Sequence, residues 1–214
     1  MTDDTQQRSG EGSVDDLPGV DVDLLRDEVR LHYAQVAVAP NEEYHFHTGR
    51  RAALQVGYES KVLDCVPEQA LEAFAGIANP FHFGLPAAGE KVVDIGSGGG
   101  TDAMIAARAV GDEGHVIGVD MTSEMLELAG RTAADAGITN VEFRQGLAET
   151  LPIEDGWADL VISNGVLNLV PDKVGAYNEV MRVLRPGGRI QIADICVDKP
   201  VPESAKRDID LWTG

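Results

Sequence analysis

The chain has 214 residues, 43% of them apolar, which suffices for one core domain with a modest extension. Its 17 Lys and Arg stand against 36 Asp and Glu, a formal net charge of −19. Such a surface repels phosphate backbones and argues against DNA or RNA as a partner. No basic-plus-apolar leader opens the sequence, and no apolar run reaches the roughly 18 residues that span a membrane, so a soluble cytoplasmic protein is expected. Cys65 and Cys196 lie far apart and fit no metal-ligand spacing, in keeping with a reducing compartment.

Residues 1–20 are acidic, polar and almost free of large apolar side chains, and they read as a disordered tail. From Asp21 the pattern changes. Val22, Leu25, Val29, Tyr33 and Val36 recur at three- and four-residue steps, one face of a helix that Pro40 ends. A further helix is expected around Pro67–Ala75. Residues 21–85 together form a helical extension, expected to cap a ligand-binding mouth.

Strands and helices then alternate. Strands are expected at 91–95, 115–120, 140–144, 159–163 and 189–195. The first helix, 101–110, stops at Gly111. The second starts from Thr122 or Ser123 and runs to Gly137, with Met125, Leu128, Ala129 and Ala133 on its apolar face. The third, 172–184, carries Val174, Tyr177, Met181 and Leu184 on one face, and Arg185-Pro186-Gly187-Gly188 turns the chain into the last strand. Short apolar strands alternating with helices mean an α/β fold, a Rossmann-like doubly wound parallel sheet, over 86–196. Residues 197–214 read as a charged tail with a short helix.

The most informative stretch is Val92-Val93-Asp94-Ile95-Gly96-Ser97-Gly98-Gly99-Gly100-Thr101. Glycines there let the backbone turn tightly and let a ligand approach, between a strand and a helix N-terminus. Asp120 closes the second strand, where an acid accepts from ribose hydroxyls. An adenosine-containing cofactor follows. The dinucleotide pattern G-x-G-x-x-G fails, because Thr101 occupies its last position. Asp94 would face a pyrophosphate badly but suits a cationic amino-acid group, which favours S-adenosylmethionine (SAM) over a nicotinamide or flavin.

His45 and His47 are candidate substrate contacts or bases, His47 being the one assigned a catalytic role. As H-x-H they could ligate a metal, but no further ligand stands at suggestive spacing, so none is expected. The competing reading is histidines satisfied by local hydrogen bonds. Arg50 or Arg51 would either recognise an acidic substrate or offset neighbouring acids, and Trp157 is expected to serve packing.

Asp94-x-Gly96-x-Gly98-x-Gly100 resembles motif I of the class I SAM-dependent methyltransferases. From Val22 to the C-terminus the chain resembles their arsenite methyltransferase-like branch, most specifically in Ser163-Asn164-Gly165-Val166-Leu167-Asn168-Leu169-Val170-Pro171-Asp172-Lys173. The resemblance implies that Asp94, Gly96, Ser97 and Gly98 hold the methionine end of SAM. It implies that Asp120 takes the ribose, and that Met121, Leu147 and Ala148 flank the adenine. Asn164 would lie near the transferred methyl, as a cofactor contact and catalytic residue, unless it only stabilises a loop. The product would be S-adenosylhomocysteine.

The departures bear on the acceptor. Arsenic-methylating relatives hold As(III) with thiolates, soft ligands for a soft ion. One of their cysteines precedes an Asn-Pro pair, where this chain has Ile77. Another follows the Ser-Asn of the fourth strand, where it has Gly165. A third lies near a C-terminal helix, and this sequence stops at Gly214. The expected acceptor is therefore another small molecule. Arsenite itself, or a non-catalytic or truncated SAM-binding module, are the alternatives. The usual final hairpin is also missing, which leaves strand 5 as an uncovered edge. Either a second copy covers it, giving a homodimer, or the chain is shorter than its relatives.

Overall fold

The computed structural model describes residues 21–40, 42, 44, 47–199, 202 and 212. The tail at 1–20, His45 and nearly all of the 197–214 segment beyond Lys199 lie outside the described residues. Helix α1 is Val22–Val38. Asp21 caps it, its carboxylate accepting from the Asp23 and Leu24 amides at 3.1 Å, which satisfies two of the donors a helix start leaves free. Leu25, Val29 and Val36 are buried, the face that the periodicity predicts. Three short helices follow, α2 (Gly49–Gln55), α3 (Ser60–Leu63) and α4 (Glu68–Glu72), then a 3-10 turn at Pro80–Phe83.

The core runs β1 (Lys91–Ile95), α5 (Thr101–Val110), β2 (His115–Asp120), α6 (Ser123–Asp135), β3 (Val141–Gln145), β4 (Ala158–Asn164), α7 (Lys173–Val183) and β5 (Leu184–Ala193). The strands form one sheet in the order β3-β2-β1-β4-β5, and every pairing is parallel. Val92 pairs with Val116 on one side and Leu160 on the other. Successive strand residues point to opposite faces. Val92, Val116, Leu160 and Ile162 therefore pack with α5 and with Tyr58, Leu63, Leu71 and Phe74 of the extension. Val93, Ile95, Ile117, Val119 and Val161 pack with Leu151, Ile153 and Val180. Leu63 and Leu71 are fully buried, each worth about 1.5–3 kcal/mol of transfer free energy, so the extension is part of the core.

Two elements differ from the sequence reading. Strand β5 starts at Leu184, not 189, and ends at Ala193, not 195. Ala158 pairs with Leu184 and Leu160 with Arg189, so residues 185–188 bulge out between the two pairings, with Gly187 at φ +82°. Helix α7 buries Ala176, Val180 and Val183, while Val174 and Met181 are each 67% exposed and Tyr177 is 45% exposed. Of the four side chains read as its apolar face, Leu184 packs against the core, while Val174, Tyr177 and Met181 form an exposed second stripe. Among the described residues no strand follows β5, which is an edge. No helix among them is long and apolar enough to cross a membrane.

Candidate functional site

The chain winds from β1 to β3 in one direction and then crosses to β4 on the other side of β1. In sheets of this kind ligands sit at the carboxyl ends of the strands beside that reversal. A cavity opens there. Its floor is the glycine loop 96–99 between β1 and α5, and its sides come from the ends of β2 and β4 and the 146–149 loop. Leu25, Arg26, Val29 and Tyr33 of α1 line it from above. Asp94, Gly96, Ser97, Gly98, Asp120, Met121, Leu147, Ala148 and Asn164 all line this one cavity.

The loop geometry requires glycine at two points. Gly96 has φ +70°, and a Cβ there would lie 2.2 Å from Val166 Cγ2. Gly98 has φ +50° in open surroundings, the nearest atom being Met125 Sδ at 4.0 Å. Left-handed backbone favours glycine in both, and close packing demands it in the first.

Three carboxylates converge below the loop. Asp94 is 2% exposed, and its Oδ2 is buried without a hydrogen-bond partner. Burial and the neighbouring charges of Asp102 and Asp120 hold its pKa well above the ordinary value. A buried, unpaired carboxylate oxygen beside a cavity is an acceptor waiting for a cation. Asp102, the second residue of α5, is pushed up to about 6 by burial, against the pull of hydrogen bonds from Tyr58 and Asn164. Burial also raises Asp120, opposed by amide donors at Thr122 and Gly98.

Asp120 does more than face the cavity. Its Oδ2 accepts from the Gly98 amide at 2.9 Å and its Oδ1 from the Thr122 amide at 2.8 Å, so it ties the glycine loop to the start of α6. Each oxygen keeps a second lone pair for a ribose hydroxyl. The Ser97 hydroxyl is buried without a partner, packed where a Cβ on Gly118 would come within 2.8 Å of it. Arg26 pairs with Glu149 at 3.0 Å and fastens α1 to the far wall.

Asn164 is fully engaged. Its Oδ1 accepts from the Ile77 and Ala78 amides at 3.0 and 3.2 Å. Its Nδ2 lies 2.8 Å from Ala78 O, 3.0 Å from Asp102 Oδ2 and 3.1 Å from Tyr58 Oη. The loop-stabilising alternative is thus realised, in a side chain that also lines the cavity. Tyr58 and Asp102 are the site residues that sequence reasoning missed. Asp102 stands beside the glycine loop, which was a usable signal, whereas nothing local marks Tyr58.

His47 is exposed and is not among the cavity-lining residues, so the structure does not bring it to the site. The chain just after it is held by the Gly49 amide bonding Phe74 O at 2.9 Å. Arg50 pairs with Asp64 and Glu68, the local role. Trp157 packs against the core, with Lys91 Nζ 5.5 Å from its ring centre. Among the described residues no group of three or more His, Cys, Asp or Glu side chains is placed to hold a metal ion. Ile77 and Gly165 meet, a Cβ on Gly165 lying 3.3 Å from two Ile77 carbons.

The family model described as a methyltransferase domain matches residues 86–213. The arsenite methyltransferase of Halobacterium salinarum is 43% identical over 160 residues, 75% of this chain and 41% of that protein. That of Aquipseudomonas alcaligenes is 39% identical over 58% of this chain and 38% of its own length. The chain thus spans about two fifths of the length of these relatives. Among solved structures, an arsenic (III) S-adenosylmethionine methyltransferase from Chlamydomonas reinhardtii superposes with a TM-score of 0.62 at 42% identity, covering 68% of this chain and 51% of that one. A SAM-dependent methyltransferase from Aquifex aeolicus gives 0.52 at 25% identity, over 69% and 80%.

Proposed function

Because this chain belongs to the class I SAM-dependent methyltransferases, in their arsenite methyltransferase-like branch, we propose that it transfers a methyl group to a small-molecule acceptor other than arsenite. The observation that carries the reading is Asp94 Oδ2, buried and unpartnered beside the glycine loop, where the ammonium of SAM would satisfy it. When bound, SAM supplies a methyl on a sulfonium that is already a good leaving group. The protein's task is then alignment, and proximity provides most of the rate. In this reading Asp94 with Gly96, Ser97 and Gly98 holds the amino-acid end, Asp120 the ribose, and Met121, Leu147 and Ala148 the adenine. Asn164 shapes the wall where the acceptor enters, and residues 21–85 form the cap over it. No general base is required unless the acceptor has a proton to lose. With His47 outside the cavity, Asn164 is the assigned catalytic residue that remains there.

The acceptor reading rests on Ile77 and Gly165, which by the resemblance stand at two of the three thiol positions of arsenic-methylating relatives and lie side by side. The remaining proposals are a cytoplasmic protein, no nucleic-acid or membrane partner, and a homodimer through β5. The charge of −19 supports the first exclusion. The β5 edge, which pairs with no further strand among the described residues, and the exposed Val174, Tyr177 and Met181 on the adjoining α7 support the dimer. Calorimetric titration with S-adenosylhomocysteine tests the cofactor site. One-to-one binding, abolished in Asp120→Ala with the fold retained, is expected. No heat of binding with folded protein would refute the reading.

A further inference from the structure

The Asn164 amide can be oriented only one way. Exchanging its oxygen and nitrogen would set an NH2 group against the Ile77 and Ala78 N–H groups. Its NH2 therefore faces Ala78 O, Asp102 Oδ2 and Tyr58 Oη. The Tyr58 hydroxyl donates to Asp102 Oδ1 at 2.5 Å, so the phenol oxygen is left as an acceptor for Asn164. A triangle results, with Asp102 accepting from both partners. It fastens segment 76–79 to the end of β4, and the approach is close enough that a Cβ on Gly76 would fall 2.3 Å from Asn164 Nδ2.

We propose that Asp102 and Tyr58 are positioning residues for the methyl-transfer site, holding segment 76–79 through Asn164 only while Asp102 is ionised. Both neighbours of the Asp102 carboxylate are donors. A proton on it has no acceptor inside the triangle unless the phenol turns away, and the Asn164 NH2 cannot reverse. The charged groups around it agree. Asp94 on β1 interacts electrostatically with both Asp102 and Asp120 on β2. Tyr33 on α1 sits beside Asp120, burial raising its phenol to about 12, so it stays protonated. Burial likewise raises the Tyr58 phenol. Arg26, the one cation lining the cavity among the described residues, is committed to Glu149. With Asp102 raised to about 6, the switch falls in an accessible range. A cation received by Asp94 would favour ionised Asp102, so cofactor binding and ordering of 76–79 would reinforce each other. That last step rests on the proposed SAM site; the triangle itself does not.

The test is amide hydrogen exchange of the full chain without ligand, between pH 5 and pH 8 and corrected for intrinsic rates. Protection of Ile77 and Ala78 is expected to fall about tenfold to a hundredfold on acidification through pH 6, the scale of one charge-assisted hydrogen bond. Asp102→Asn should leave both amides unprotected throughout. Tyr58→Phe removes a donor that favours the carboxylate, so it should move the transition to higher pH. Flat protection in the parent chain, or the parent profile retained in both variants, would overturn the proposal. Should Asp102→Asn fail to fold, Tyr58→Phe decides alone. Titration with S-adenosylhomocysteine at pH 7.5 and 5.5 adds the coupling, with weaker binding expected at the lower pH. If the exchange pattern holds and the ligand does not bind, the positioning role stands and only the cofactor reading fails.

Discussion

Replacing Gly96 by alanine isolates the close approach at the cavity floor. Two costs should add. At φ +70° an L-residue carries about 1–2 kcal/mol of backbone strain. The new methyl also meets Val166 Cγ2 at 2.2 Å and Cγ1 at 2.7 Å, an overpacking worth about 1–3 kcal/mol. The sum is roughly 2–5 kcal/mol. Gly98→Ala is the control, because its φ is also positive but a Cβ there meets nothing closer than Met125 Sδ at 4.0 Å, so only about 1–2 kcal/mol should be lost. Val166→Ala removes the two clashing carbons. In the double variant Gly96→Ala/Val166→Ala the two closest clashes disappear, Val166 Cβ at 3.0 Å and the strain remain, and a favourable coupling of up to about 1–3 kcal/mol is expected. Urea denaturation with unchanged m values measures all four. Additivity within about 0.5 kcal/mol, or equal losses at 96 and 98, would show that the loop relaxes around the methyl and would refute the reasoning.

Acid should at first stabilise the ligand-free chain. Asp102 is raised in the folded state, so that state binds more protons than the unfolded chain between about pH 6 and the ordinary carboxylate range, and stability grows as pH falls through about 6. The gain approaches about 3 kcal/mol before Glu90, Glu179 and Asp159, whose partners hold them low, lose their pairings at lower pH. Melting curves at pH 7.5 and 5.5 read the sign, and an unchanged slope in Asp102→Asn would contradict the assignment. Global stability should thus rise while protection at 76–79 falls. Sodium arsenite should leave the melting temperature of the reduced protein unchanged; saturable stabilisation that survives Cys65→Ser and Cys196→Ser would reveal a site outside the lost thiol positions.

The sheet was legible because glycines bracket its elements. Gly96–Gly100 and Gly111 set the limits of β1 and α5, and both match the expected 91–95 and 101–110. The extension was legible in α1, which is long enough to show a period, and in α4, which falls within the helix expected around Pro67–Ala75; α2 and α3, of seven and four residues, carry no such signal. On α7 the periodicity found an apolar stripe but could not say whether anything covers it, and small Ala176 with Val180 and Val183 forms the buried face instead. Of the site, local motifs gave the loop and the two acids at strand ends. The Asn164 contacts span 86 and 87 positions and the Tyr58–Asn164 contact spans 106, distances over which spacing carries no information. Of the H-x-H pair, His47 stands outside the cavity lining and His45 lies outside the described residues; the pattern itself says nothing of which way the backbone faces.

Helix α1 rests on a small cluster of its own, in which Val36 meets Ala73, Met125 and Leu128 apart from the two large cores. It lies upstream of the matched methyltransferase domain, yet it supplies four residues of the cavity wall. Such a unit can open without the sheet unfolding, at a fraction of the global free energy. The roof of the site is therefore also its door, and the lifetime of a bound molecule becomes a property of one amphipathic helix and the Arg26–Glu149 latch rather than of the glycine-loop floor.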